Sequence, residues 1–479
     1  MKNILYIASW FLFLSLASCT KDFEEINTNP NDPVSVQPSL LLRQVIYDYG
    51  EQMSYEGFVA GDLLSQHRTA LDFNLFDRHA LKSPQLGGNP WPIFYTNLRD
   101  NEIILQQAQT NVTFAVYEGP ALILKAYMAA GLTDLFGDVP YSEAFNGIDG
   151  TVRPAYDAQE DIYTTAGGIL ANLDAGIAAI EAYDDVITLE GDILYDGDLQ
   201  AWVRFANSLK IKHLLRISDR VDVSTELQGL VNEGNYISSN SENAVFNFSN
   251  TEPNSFRLAQ LRVGDFNNFV LSETMETILV DLEDTRLNTF FRPASSTGAF
   301  NGLINGIDAT STAAVLGDLS LAGIAFREDT SVLDANFMTA WETSLALAEA
   351  AQRGLISGDA QALYENGVIL AFEYWQTPLP ANYLTGAAAF DNADSTPIAQ
   401  IITQKWIANI INGYEGWVEY RRTGFPIFMD VQASLNNGLI PVRMPYPSEE
   451  EALNADNYQT AFDATDGNSL DVRVWWDVE

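Results

Sequence analysis

One cysteine in 479 residues is the first scarcity of this chain. Cys19 has no second thiol to pair with, so no disulfide closes a loop within it. Histidine is nearly as rare: His67, His79 and His213 show no His-x-x-x-His spacing and no cysteine neighbour, which removes the ordinary zinc patterns. Basic residues are also few, 25 Lys and Arg against 64 Asp and Glu, for a formal charge of -39. A field of that sign repels polyphosphate, so nucleic acid is no partner. A strongly anionic polysaccharide would need a local basic patch or a bound cation. Long apolar runs are missing too; after residue 16 none approaches the roughly 20 residues of a spanning helix. No Gly-x-Ser-x-Gly, Walker A or Rossmann fingerprint occurs. "YDGDLQ" at 195–200 is too sparse for a calcium loop.

What is present begins at the N-terminus. Lys2 precedes an apolar run from Ile4 to Leu16 that ends in small residues, the layout of a secretory signal peptide over 1–18. "Leu16-Ala17-Ser18-Cys19" resembles the bacterial lipobox, whose cysteine is acylated and becomes the new N-terminus. Two or more acyl chains anchor a protein stably. Cys19 is therefore expected to be lipidated and to hold the mature chain on a membrane without crossing it. Residues 19–37 carry Asn-Pro and Asp-Pro steps that block regular structure and read as a tether.

From residue 38 helical periodicity dominates, and 38–479 is read as a single, mainly helical, all-α domain. Ile162, Ala166, Ile169, Leu173, Ile177 and Ile180 mark one face of a helix over 157–183. Leu122, Ala126, Ala129, Leu132 and Phe136 mark another, stopped by Gly137 and Pro140. A Thr339/Glu342 capping box opens a helix that halts at Gly354, and a second begins near Asp359. The segments pair as hairpins within 92–220 and 338–421: 92–109 with 118–136, 157–183 with 198–220, 338–354 with 359–376, and 396–412 with 414–421. Small alanines at the crossings suit tetratricopeptide-like packing, although no strict 34-residue repeat is visible. Three stretches break the pattern: 71–91, a loop-rich insertion at about 292–335, and 377–394. Long irregular stretches in a compact fold are functional or disordered.

Catalysis has one candidate. An all-α glycoside hydrolase would need two carboxylates, and Glu415 and Glu419 sit one helical turn apart beside Arg421 and Arg422. The competing reading, an ion-pair network at a helix end, is preferred, because 64 acids produce such spacings by chance. His213 shares a helix face with Ala206, Leu209 and Ile217 and reads as a satisfied interior residue.

Seven stretches together, "SCTKDFEEINTNPNDP", "LKAYMAAGLTDLFGDVPYSEA", "WVRFANSLKIKHLLRIS", "ALAEAAQRGLISGDAQALYENGV", "QKWIANIINGYEGWVEYRRTGFP", "IPVRMPYPSEEEALNADNY" and "VRVWWD", resemble the SusD/RagB family of nutrient-binding outer-membrane lipoproteins. The resemblance implies tetratricopeptide-like hairpins beneath a loop-rich ligand-binding part. It implies no catalysis and calls for no cofactor, leaving a structural calcium open. The implied partners are a glycan and a SusC-like TonB-dependent transporter, on the outer membrane and facing the exterior. A peptide or other nutrient ligand, a secreted glycoside hydrolase and a purely structural lid are the alternatives. The acidic "KDFEE" after Cys19 is similar to the family's surface-export tag.

A sugar ring presents an apolar C–H face to an aromatic side chain while its hydroxyls need amide or carboxylate partners. Loop-borne aromatics near Asn, Asp or Gln are therefore the candidates: Phe73, Phe76, Trp91, Phe300 with Asn301 and Asn305, and Tyr383 with Asn382. Packing beneath the loop is the other role open to each, and Trp91, which opens a helix, leans towards it. Trp202, Trp341, Trp406, Trp417, Trp475 and Trp476 are assigned to the core.

Overall fold

The computed structural model describes residues 36–478 apart from 149, 253, 309 and 311–313. The expected signal peptide and Cys19 lie outside the described residues. The first helix, α1 (Pro38–Glu56), begins on a proline, where a missing N–H costs nothing. It packs on α2 (Trp91–Thr110), and α2 packs on α3 (Glu118–Phe136). After a short α4 (Gln159–Thr164) come α5 (Ile169–Glu181), seated against α3, and α6 (Leu199–Ile217), seated against α5. The stack continues through α7 (Ala340–Gln352), which touches α6 and pairs with α8 (Ala360–Tyr374). It ends with α9 (Pro397–Ala408), against α7, and α10 (Gly413–Thr423). These are tetratricopeptide-like hairpins, and the fold is mainly helical as the periodicity predicts.

Two local expectations need correction. The helix expected over 157–183 is two helices, because Thr165–Gly168 cannot continue a right-handed turn. Gly167 has φ +82°, and a Cβ at Gly168 would lie 2.5 Å from the carbonyl oxygen of Ile162. The capping box before α7 is only half formed. Thr339 Oγ1 accepts from the Glu342 amide at 3.4 Å, but the Glu342 carboxylate turns to Lys212 at 2.8 Å.

Among the described residues six short strands, which the helical pattern gives no hint of, join loops antiparallel in pairs. β1 (Arg68–Ala70) pairs with β5 (Phe269–Leu271), β2 (Val139–Pro140) with β3 (Tyr156–Asp157), and β4 (Ala244–Asn247) with β6 (Asp334–Met338). The described part of 292–335 holds single 3-10 turns and isolated β-bridges at Leu303, Leu321 and Ala322 before β6.

The start of the chain is locked to its last hairpin by backbone contact. A π-helical segment, Gly57–Gly61, follows α1 and lies against α10. A Cβ on Gly57 would sit 1.9 Å from the Ile411 carbonyl oxygen, and one on Gly413 would sit 2.3 Å from the Asp62 amide. Only glycine permits that approach. The core runs the length of this stack. Trp202, Trp341, Trp406, Trp417 and Trp476 are buried as expected, whereas Trp475 is half-buried.

Candidate functional site

Two segments far apart in sequence meet around one carboxylate, and a third bonds to the second of them. Asp77, 1% exposed, accepts from Thr69 Oγ1 at 2.8 Å, the Ala70 amide at 3.2 Å, Asn305 Nδ2 at 2.7 Å and the Gly306 amide at 2.8 Å. Burial raises its pKa, against the pull of those donors. Asn74 Nδ2 donates to the Ile307 carbonyl at 2.7 Å, so the first loop is sewn twice to the insertion. The Gln432 and Ala433 amides then donate to the carbonyls of Asn305 and Gly306, each at 2.9 Å, and Arg78 Nε donates to the Ala433 carbonyl at 2.8 Å. A loop fixed this way on both sides holds its side chains with little freedom left to lose on binding.

Phe73 stands out on that loop. The residue is 60% exposed, while its backbone is left-handed, with φ +49°. Short-range bonds hold the turn: the Phe73 amide donates to Asp72 Oδ1 at 2.8 Å, and Asn268 both accepts from the Asp72 amide and donates to its carbonyl, at 2.8 and 2.7 Å. An aromatic residue in a left-handed turn costs conformational energy, and such residues cluster at ligand clamps.

The other candidates divide. Phe300 is half-buried, and Asn301 is exposed with Nδ2 donating to the Asp318 carbonyl at 2.5 Å. Asn382 is exposed on the third loop. Phe76, Trp91, Asn305 and Tyr383 are interior and take the packing role that the sequence left open to each, the one Trp91 already leaned towards. Phe76 lies under the loop beneath Gly88, where a Cβ would come within 2.4 Å of its ring. Trp91 packs edge-on to Phe136 with centroids 4.9 Å apart. Asn305 serves Asp77 and the Arg68 carbonyl. Tyr383 Oη reaches Asp284 Oδ2 at 2.5 Å and receives Gln404 Nε2 at 2.8 Å, beside Arg286. The structure therefore joins the first loop to the insertion and ties the third loop elsewhere, to the short helix Arg286–Phe290 through Thr285 and Thr289. Sequence reasoning passed over the organising residues, Asp77 and Asn268, because nothing in their neighbourhoods distinguishes them from other loop acids and amides.

Glu415 and Glu419 belong to a buried ion network. Arg216 reaches Glu415 at 2.5 Å, Glu419 at 3.1 Å and Asp134 at 3.2 Å. Lys405 and Arg422 add 2.7 and 2.8 Å pairs to Glu419, and Arg422 binds Glu349 at 2.6 Å. Arg421 stands apart from the network, donating to the carbonyls of Val442 and Asp134. Burial opposes ionisation of both glutamates, yet Arg216 and Lys212 at one, and Arg422 and Lys405 at the other, hold both below the usual range. A glycosidase acid requires the reverse, a carboxyl raised until it keeps its proton.

Among the described residues no group of His, Cys, Asp or Glu could hold a metal ion. His67 bonds to Asp62, Ser65 and the Trp406 carbonyl. His213 corrects another expectation: it is buried, but neither ring nitrogen has a hydrogen-bond partner. It lines a partly open cavity of about 80 Å³, a space for a few water molecules and too small for a sugar.

A family model described as "Starch-binding associating with outer membrane", SusD-like, matches residues 30–447. The chain belongs to the SusD-like family. A SusD homologue from Bacteroides fragilis superposes with a TM-score of 0.79 at 24% identity, covering 93% of this chain and 100% of its own. A protein named as chitin-binding gives 0.78 at 24%, covering 92% and 100%. A chitin-binding SusD homologue from Flavobacterium johnsoniae gives 0.75 at 23%, covering 92% and 98%. A search of curated protein sequences finds no match. At these identities the structural likeness concerns the fold.

Proposed function

We propose that this SusD-like protein is a cell-surface lipoprotein that captures a neutral poly- or oligosaccharide and passes it to a SusC-like TonB-dependent transporter. The observation that carries the reading is Phe73: an aromatic face turned to solvent on a loop braced from two sides, as stacking on a sugar ring requires. Asn301 and the half-buried Phe300 lie on the insertion sewn to that loop and add an amide and a second ring. The family's description and the two chitin-binding relatives support a glycan, and the charge of -39 favours a neutral one. Binding is reversible stacking and hydrogen bonding on a fixed scaffold; no bond is broken. Acyl chains on Cys19 supply the attachment to the outer membrane.

Titration of the purified mature protein with chito- and malto-oligosaccharides tests the first half. Binding that Phe73→Ala weakens about tenfold supports it, and failure to bind any member of a broad glycan array overturns it. Metabolic labelling with a fatty acid, lost in Cys19→Ser, tests the anchor. Co-purification of a barrel transporter from membranes tests the partner.

A further inference from the structure

The third loop, 377–394, carries no exposed aromatic: Tyr383 is inside and Phe390 is half-buried. Its far end does something else. Ala393–Thr396 and the first turns of α9 form one wall of an open groove of about 480 Å³, and Phe425 to Ile427 form the other. That volume lies within the usual range of small-molecule sites. The two walls differ in chemistry. One bears Asp394, Ser395, Thr396 and Thr403, a carboxylate and three hydroxyls; Asp394's carboxylate and Thr403's hydroxyl have no hydrogen-bond partner among the described residues. The other bears the half-buried Phe425 ring and Ile427, which is 74% exposed. An apolar wall facing oxygen donors and acceptors complements a pyranose, with one face of C–H groups and an edge of hydroxyls. It fits neither a nucleotide, for lack of a cation, nor a lipid, for excess of polar groups.

We infer that this groove is a second carbohydrate subsite, reading the same polymer as the Phe73 loop; the inference rests on the glycan reading above. Continuity supports the link. The segment that supplies Phe425 and Ile427 runs on to Gln432 and Ala433, bonded to Asn305 and Gly306, and to Leu435, whose amide donates to the Arg78 carbonyl at 2.6 Å. One stretch of chain therefore borders both places. From Ile427 to Leu435 an extended backbone spans at most ~28 Å, so an oligosaccharide of that length or less reaches from the groove to the residue bonded to the first loop. Engaging both raises affinity through effective concentration, without a new kind of contact.

Calorimetric titration with chito- and malto-oligosaccharides of about two to eight units separates the cases. Asp394→Ala, Ile427→Ser and Phe425→Ala are compared with wild type and with Phe73→Ala; the first two alter exposed side chains, so the fold is retained. For the series that wild type binds, affinity is expected to rise with length. The groove variants are expected to flatten that rise, losing about tenfold on the longest oligomer and under about twofold on the shortest. If the groove variants bind the longest oligomer as wild type does, the subsite is wrong while the glycan reading stands. If wild type binds neither series nor any member of the broad glycan array, both fall together.

Discussion

Around α10, Glu349, Glu415 and Glu419 meet Arg216, Lys405 and Arg422 inside the helix stack; around the first loop, Asp77 alone gathers neutral donors from two segments. Both arrangements bury charge, and they do so with different consequences. In the stack each carboxylate has at least one cation within 3.1 Å, and Glu419 has three. Removing one partner there strands an ion. In the loops the partners are amides and a hydroxyl, so a lost acceptor leaves unsatisfied dipoles and no stranded ion. The scaffold is therefore brittle towards substitution and otherwise rigid, while the loop half can loosen locally without unfolding the stack.

Glu419→Gln is the strongest test of that contrast. It leaves Lys405 and Arg422 short of a buried counter-charge, and breaking such a pair costs about 3–5 kcal/mol. Chemical denaturation of the variant should show a loss of that order, with exchange of amides accelerated throughout α9 and α10. A loss below about 1 kcal/mol would mean that the network is wet and weak, as exposed pairs are.

Acid separates the halves next. Glu415 and Glu419 titrate below their ordinary value when folded, so the stability they give is present above about pH 4.3 and lost as pH falls through their folded values. Asp77 is shifted the other way. Its contribution is greatest below about pH 3.9 and declines as pH rises through its folded value. Between pH 7 and about 4.5 the helix stack should keep its protection, and below about pH 4 it should give way. Hydrogen exchange that found α10 opening at pH 5, ahead of the loops, would contradict the sign of the glutamate shifts.

Asp77→Asn comes third. Oδ2 accepts from Thr69, Ala70 and Gly306 while Oδ1 accepts from Asn305, so an amide at this place points its NH2 at a donor whichever way it is flipped. A cost of about 1–3 kcal/mol is expected. It should be confined to faster exchange at the Ala70 and Gly306 amides and to weaker glycan binding through Phe73. Global destabilisation with loop exchange unchanged would show that Asp77 braces the core and not the loop.

The same contrast explains how much was legible. Helices declare themselves by period, so α2, α3 and α6 to α10 fall where the apolar spacing puts them, and the break between α4 and α5 was visible only as two adjacent glycines. The Glu415/Glu419 network was legible as a cluster of charges, although its partners Arg216 and Lys212 come from α6, some 200 residues earlier. The loops offer no such signal. Phe73 and Phe76 stand three residues apart with similar neighbours, and what turns one ring inward is Gly88, a dozen residues on, which leaves room for it. Tyr383 is buried because Asp284, Arg286 and Gln404 converge on it from two other elements. Contacts of that range are written in no local pattern.

Phe73 offers the finest comparison, because two substitutions at the same residue separate its backbone from its ring. An L-residue in the left-handed region costs about 1–2 kcal/mol. Alanine keeps that strain and removes the ring, so Phe73→Ala should change stability by no more than about 0.5 kcal/mol while glycan affinity falls. Glycine removes the strain as well, offset in part by the greater freedom it gives the unfolded chain. Phe73→Gly should therefore be more stable than Phe73→Ala by up to about 1 kcal/mol and bind no better. A strained turn retained only to display a ring predicts that ordering, a gain in stability bought with the loss of the ligand. Were the glycine variant the less stable of the two and binding intact in both, the ring would be a surface accident, and the carbohydrate would have to be sought along the groove at Phe425 and Ile427.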